Sequence, residues 1–262
     1  MKLKYVASVV ALLGLTGLAH ADAFVNGGFE TGATTGWTTG GGYRGNHPNA
    51  DIAPASFLPG GALNGDAGER GEVIDKNYVD GNLGALLGTT VLDGNHAYRA
   101  ENISSGGYAT AISQQVVNYT DSDIFFAWKA VLQNGGHIEE ESALMMLTLT
   151  DNTTGQLVLS RSYNAGDGGG GVDTRFQTQG DFFYTPQWQL ERLSIDQSLS
   201  GHTFTLSLLA ADCQPTGHTG YAYLDGFGSV APPVPEPETY GMMLAGLGML
   251  GWMARRKKSS AA

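Results

Sequence analysis

From residue 108 to residue 230 the chain is a succession of short extended runs parted by turn-rich loops, and no long helical period interrupts them. Runs of this length rich in Val, Ile, Thr and aromatic residues read as strands. Residues 108–117 have a partly alternating character. Residues 124–132, Ile-Phe-Phe-Ala-Trp-Lys-Ala-Val-Leu, read as a central strand. Residues 143–150 and 156–163 read as a strand and its return, joined by the turn Asp151-Asn152-Thr153-Thr154-Gly155. Residues 188–195 and 202–210 read as a second such pair, and 221–230 as the last strand. Many short strands with turn-rich connections predict an all-β sandwich.

The first third reads differently. Residues 40–87 are dense in Gly, Asn, Asp and Pro, and much of the chain's total of 39 Gly falls outside any periodic run. They are expected to form long ordered Gly-rich loops on the sandwich, with short strands around Ala62 and Ala85. The single cysteine, Cys213, excludes an internal disulfide framework and any multi-cysteine metal module.

Both ends are chemically distinct from the body. Residues 1–23 read as a signal peptide. Lys2 and Lys4 precede an apolar run from Val6 to Leu18, and the small-residue triplets Ala19-His20-Ala21 and Ala21-Asp22-Ala23 suit signal peptidase. Near the other end, residues 240–254 form an apolar block that stops at Arg255-Arg256-Lys257-Lys258. This block is shorter than the ~20 residues a helix needs to cross hydrocarbon unaided, and the cations favour the cytoplasmic side. A signal helix at the start and a short transmembrane helix at the end would flank a body at 24–233. That body holds 22 acidic and 8 basic residues, a net of −14, which argues against a nucleic-acid partner.

Val234-Pro235-Glu236-Pro237-Glu238, then the apolar block, then the basic cluster, resembles the PEP-CTERM sorting domain of Gram-negative bacteria. The resemblance covers roughly the last tenth of the chain, residues 234–258. It implies that Pro235, Glu236 and Pro237 are the recognition motif of an exosortase, with Arg255 and Arg256 closing the segment. It also implies transient anchoring through 240–254, then transfer to the cell envelope or release outside, in the setting of extracellular polysaccharide and biofilm. The flanking prolines have a physical rationale of their own, since they keep the segment extended.

The body's opening, Asn26-Gly27-Gly28-Phe29-Glu30 followed by Gly36-Trp37, resembles that of galactose-binding-like, carbohydrate-binding-module jelly rolls. Its closing Tyr223-Leu224-Asp225-Gly226-Phe227 resembles their last strand. The resemblance implies a jelly-roll β-sandwich whose first and last segments are neighbours, with a structural Ca²⁺ beside them. Glu30 and Asp225 are the candidate calcium ligands, joined by Asn26; the favoured alternative is that both cap turns or accept backbone hydrogen bonds.

The remaining candidates come from the residues themselves. Trp37 and Trp188 are the better candidates for glycan contact, because sugars stack on aromatic faces beside polar groups, but the core is the favoured place for each. Trp128 lies in an apolar strand and is expected in the core. Glu139-Glu140-Glu141 is the densest charge cluster and reads as a solvated acidic loop. His137, Cys213 and His218 make a transition-metal set only if the fold unites them, and their spacing is not that of a compact zinc motif. Asp167-Gly168-Gly169-Gly170-Gly171 lacks the Lys and helix of a phosphate loop.

No catalytic residue is assigned. The favoured reading is an exported, noncatalytic envelope or matrix protein, processed by signal peptidase and an exosortase and binding polysaccharide. A secreted glycan-acting hydrolase, which needs two convergent carboxylates in a groove, is one alternative. Homotypic matrix assembly is another.

Overall fold

The computed structural model describes residues 23–65 and 70–228. The signal segment, the sorting segment with Pro235, Glu236, Pro237, Arg255 and Arg256, and the apolar block 240–254 lie outside the described residues. Among those described, no helix is long and apolar enough to cross a membrane.

The body is a two-sheet β-sandwich. One sheet has the order β1-β4-β11-β6-β7, formed by Thr38–Tyr43, Tyr108–Tyr119, His202–Ala211, Leu144–Asp151 and Gln156–Asn164. The other has the order β2-β3-β12-β5-β9-β8, formed by Glu72–Asp75, His96–Ala100, Gly220–Asp225, Asp123–Gln133, Phe182–Tyr184 and Gln177–Gln179. Strand β10, Gln189–Ser194, also pairs with β5.

Alternation along the strands sets the two faces. In β5, Ile124, Phe126, Trp128, Ala130 and Leu132 point between the sheets. They meet Phe204, Leu206, Leu208 and Ala210 of β11 and Met145, Leu147 and Leu149 of β6. Trp128 is fully buried, as its apolar strand predicts, and stacks on Tyr163 at 5.2 Å between ring centroids.

The intervening residues of the central strands are buried too, because Gly-rich segments roof the outer faces. Leu83, Leu87 and Val91 cover Val131, Tyr221 and Tyr223 on one side. Ile52 and Phe57, from the segment holding the short helix α1 (Pro54–Phe57), cover Ala109, Ala111, Leu209 and Ala211 on the other. The expectation of ordered loops over a scaffold is met, but Ala62 and Ala85 are not in strands. Residues 84–86 form a 3-10 turn, and the strands of this third are β1 and β2.

The expected β6–β7 hairpin is present. The second expected pair is not. β10 runs antiparallel to the first half of β5, from Gln189 opposite Trp128 to Ser194 opposite Asp123. β11 lies in the other sheet, between β4 and β6. β5 is long enough to hold β10 on its first half and β9 on its last residues, Val131 to Gln133. The final strand ends at Asp225.

Candidate functional site

Glu30 and Asp225 come together where the ends of the body meet. Phe227 donates its backbone N–H to the Gly27 carbonyl at 2.9 Å. Both acids flank Gly28: a Cβ there would lie 3.6 Å from Asp225 Oδ1 and 3.7 Å from Glu30 Cγ. Both also grip one loop. Asp225 Oδ2 accepts the N–H groups of Leu92 (2.7 Å) and Asp93 (3.0 Å), while its Oδ1 accepts that of Gly226 (2.6 Å). Glu30 Oε1 accepts those of Asn95 (2.9 Å) and His96 (2.8 Å).

Asn26 serves its own turn. Its side-chain amide donates to the carbonyls of Ala33 (2.9 Å) and Thr35 (3.0 Å). Among the described residues no side-chain cation pairs with Asp225. Burial, opposed by its backbone donors, pushes its carboxyl up to about 6. Glu30 is more exposed, and its Oε2 lies 3.9 Å from His96 Nδ1.

The two tryptophans part company. Trp37 is 8% exposed, packs on Phe29 and Phe227, and donates its indole N–H to the Asn26 carbonyl. Its ring face is taken up by the core, which removes it from the surface expected for glycan contact. Trp188 is half-buried on the outer face of the second sheet and donates to the Thr89 carbonyl. Lys129, buried beneath it, lies 5.8 Å from its ring centroid. Near it in the same layer stands Tyr78, whose hydroxyl accepts from Arg99 at 2.6 Å. Tyr78 lines an open groove of about 320 Å³ along β2, with Glu72, Val73, Ile74, Asp75 and Asn77.

Two acids line that groove: Glu72 pairs with Arg99 at 2.9 Å, and Asp75 Oδ1 accepts the Asn77 N–H at 2.7 Å. Glu139–Glu141 form a 3-10 turn with no buried residue. Among the buried acids, Glu101 and Asp212 share Arg70 at 3.0 Å and 3.7 Å. Burial and the adjacent Glu101 charge push Asp212 up to about 7, and burial raises Glu101. Both are sealed inside the fold, with Thr110 donating to Glu101 at 2.8 Å.

The fold does unite His137, Cys213 and His218. Pairing of β5 with β12 sets Gly220 opposite Leu132, so the loops leaving these strand ends meet. His137 Nε2 lies 3.1 Å from His218 Nδ1, and Cys213 Sγ lies 3.5 Å from the same nitrogen. Cys213 is fully buried, and both histidines are half-buried. Arg44, also fully buried, donates to the Asp212 carbonyl at 2.7 Å and so fixes the chain just before Cys213.

The family pattern described as the PEP-CTERM protein-sorting motif matches residues 233–258. A PEP-CTERM protein-sorting motif is present. No curated protein matches the chain. Among solved structures the chain is similar to TmCBM61 in complex with beta-1,4-galactotriose, with 11% identity over 79% of this chain and 95% of that one and a TM-score of 0.39. It is similar to CBM28, a carbohydrate-binding module specific for non-crystalline cellulose, with 11% identity over 79% and 94% and a TM-score of 0.38. It is similar as well to the CBM22-1 xylan-binding domain of Paenibacillus barcinonensis Xyn10C, with 13% identity over 78% and 93% and a TM-score of 0.30.

The groove along β2 was not expected from sequence, because Glu72 to Tyr78 sits within a stretch read as loop. The signal available was Val73-Ile74, the only adjacent β-branched pair between residues 40 and 87.

Proposed function

We propose that this chain is an exported, noncatalytic protein of the cell envelope or extracellular matrix that binds polysaccharide along β2. The observation that carries the binding proposal is the groove itself. It is open and of ligand size, and Tyr78, with Arg99 over its ring at 5.4 Å, lines it together with Glu72, Asp75 and Asn77. Aromatic faces next to a few polar groups are what a sugar ring requires. Trp188, half-exposed on the same layer, extends the aromatic surface. The sorting motif at 233–258 supports delivery to the envelope or outside it, with signal peptidase and an exosortase as processing partners.

The noncatalytic half of the proposal is supported by what the carboxylates do. A glycoside hydrolase needs two of them flanking a bond in an open cleft. Here the two acids of the groove are already engaged, Glu72 by Arg99 and Asp75 by the Asn77 N–H; Glu30 and Asp225 clamp backbone N–H groups, and Glu101 and Asp212 are locked onto Arg70. A calcium ion held by Glu30 and Asp225 would stabilise the closing turn and perform no chemistry.

The full chain on a glycan array, with Ca²⁺ and with chelator, tests the proposal. Retention of a polysaccharide that Tyr78→Ala and Trp188→Ala weaken is expected. No retention in either condition, or retention that both variants leave intact, overturns binding along β2. Release of reducing sugar by the wild type would favour the hydrolase. Intact-mass analysis of native material tests processing separately, since a mass that retains residues 240–262 contradicts tail removal.

A further inference from the structure

We propose that His137, Cys213 and His218 bind one late first-row transition ion of borderline-to-soft character, zinc or copper. The proposal concerns a different pole of the molecule from the β2 groove and does not depend on glycan binding.

The donor set comes first. Two imidazole nitrogens and one thiol sulfur converge, with all three ligand atoms within 4.8 Å of one another. Nitrogen and sulfur donors select zinc or copper over calcium and magnesium, which take oxygen. Tetrahedral zinc, with bonds of about 2.05 Å to nitrogen and about 2.3 Å to sulfur, sets two ligand nitrogens about 3.3 Å apart and nitrogen and sulfur about 3.6 Å apart. The observed separations are 3.1 Å and 3.5 Å. Three protein ligands leave a fourth position for water or another donor.

The frame is built to hold these atoms. His218 donates its backbone N–H to Sγ at 3.2 Å; burial raises the thiol above its ordinary range, and the amides of His218, Gly217 and Thr216 oppose that rise. Cys213 in turn donates its N–H to the His218 carbonyl at 2.9 Å, closing the loop on itself. Thr216 accepts a left-handed backbone (φ 76°) to make that closure. The His137 carbonyl receives the Asp167 N–H at 2.7 Å. Gly135 lies so close to the rings that a Cβ there would stand 2.1 Å from His218 Nδ1 and 2.7 Å from His137 Cδ2.

A His–His hydrogen bond accounts for the 3.1 Å separation alone. It does not account for a sulfur aimed at the same nitrogen and surrounded by amide donors. The half-buried histidines give an ion access from solvent, and Cys213 forms the floor. On binding, the thiol releases its proton to solvent and sulfur coordinates as thiolate, with both imidazoles neutral.

The test uses the full chain, reduced, stripped with chelator and titrated with Zn²⁺, Cu⁺ and, as a spectroscopic stand-in for zinc, Co²⁺. One equivalent per chain and a thiolate-to-cobalt charge-transfer band are expected. Cys213→Ser should abolish the band, and His137→Gln should weaken zinc binding by more than the about 10–100-fold that follows loss of an outer-shell partner. Gly135→Ala removes no donor and should weaken binding by crowding His218. Circular dichroism checks that each variant is folded, and His137→Gln, on a half-exposed loop, carries the test if Cys213→Ser is not. The absence of stoichiometric uptake by the wild type overturns the proposal. So does uptake that the folded variants leave unchanged, which would place the ion elsewhere.

Discussion

The Tyr223 hydroxyl donates to Asp80 Oδ2 at 2.7 Å, which ties the roof of the second sheet to its strand β12. Tyr221 donates to the same oxygen at 2.9 Å, and Asp80 Oδ1 takes the N–H groups of Asn82 and Leu83 at 3.0 Å and 2.7 Å. Asp80→Ala strands two buried hydroxyls and two amides. At about 1–3 kcal/mol for each buried group left without a partner, with partial relaxation, the expected loss is about 2–4 kcal/mol. Tyr223→Phe removes one bond and should cost about 1 kcal/mol. Urea unfolding reads both, and an Asp80→Ala midpoint close to wild type would mean that the roof is held elsewhere.

The closing turn makes a second prediction. A Cβ on Gly27 would lie 2.2 Å from the Phe227 carbonyl oxygen, a backbone atom that cannot swing aside. Gly27→Ala should destabilise by about 1–3 kcal/mol, the usual cost of overpacking. Gly65 has nothing within 4 Å of its Cβ direction, so Gly65→Ala should be neutral or stabilise by up to about 1 kcal/mol. Equal melting temperatures for the two variants would contradict the close approach.

Acid should first strengthen this fold. Asp212 is raised to about 7 and Asp225 to about 6, in both cases chiefly by burial. Folded chains then hold protons that unfolded chains release, so stability rises as pH falls from about 7 towards the ordinary aspartate value of about 4. Two other aspartates act oppositely below that. Hydrogen bonding to Arg192 holds Asp123 down to about 2. Burial opposes the same shift at Asp151, but hydrogen bonds from Thr154 and His202 prevail and hold it to about 2. Their contribution is lost between about pH 4 and 2. Urea midpoints across pH should therefore climb to a maximum near pH 4–5 and then drop, with a shallower climb in Asp212→Asn. A midpoint falling steadily from pH 7 to 5 would reverse this assignment.

A calcium ion at Glu30 and Asp225 would bind only the folded chain and raise its melting temperature by mass action. The expected result is a higher Tm in Ca²⁺ than in chelator, with the difference lost in Asp225→Asn. Identical melts in the two solutions would leave both acids as backbone clamps alone.

Strand identity in the second half was legible because its residues alternate. Ile124, Phe126 and Trp128 face one way, and Phe125 lies half-exposed between them. Strand partners were less legible, since β10 and β11 join strands far from each other in sequence. In the first third, β1 reads Thr-Thr-Gly-Gly-Gly-Tyr, which has the composition of a loop. Its glycines answer to tertiary contact instead: a Cβ on Gly40 would lie 2.4 Å from the Phe57 carbonyl oxygen, and one on Gly42 would lie 1.8 Å from that of Leu63. Only the packed roof reveals that demand. The same holds for His137, Cys213 and His218, whose spacing matched no compact motif because the β5–β12 pairing, not local sequence, brings them together. The meeting of Glu30 and Asp225 at the closing turn followed from a resemblance, and Trp37 lies in the core, the place its reading favoured.

Strand β12 has a direction, and that gives the molecule two poles. Its last residue, Asp225, sits at the seam where Gly228 meets Phe24. Its first, Gly220, adjoins His218. At about 3.3 Å per residue the His218 end lies roughly 25 Å from the Gly226 end. An attachment made beyond residue 228 would therefore hold the body beside the point where it begins. The histidine–cysteine cluster is carried at the opposite end of β12.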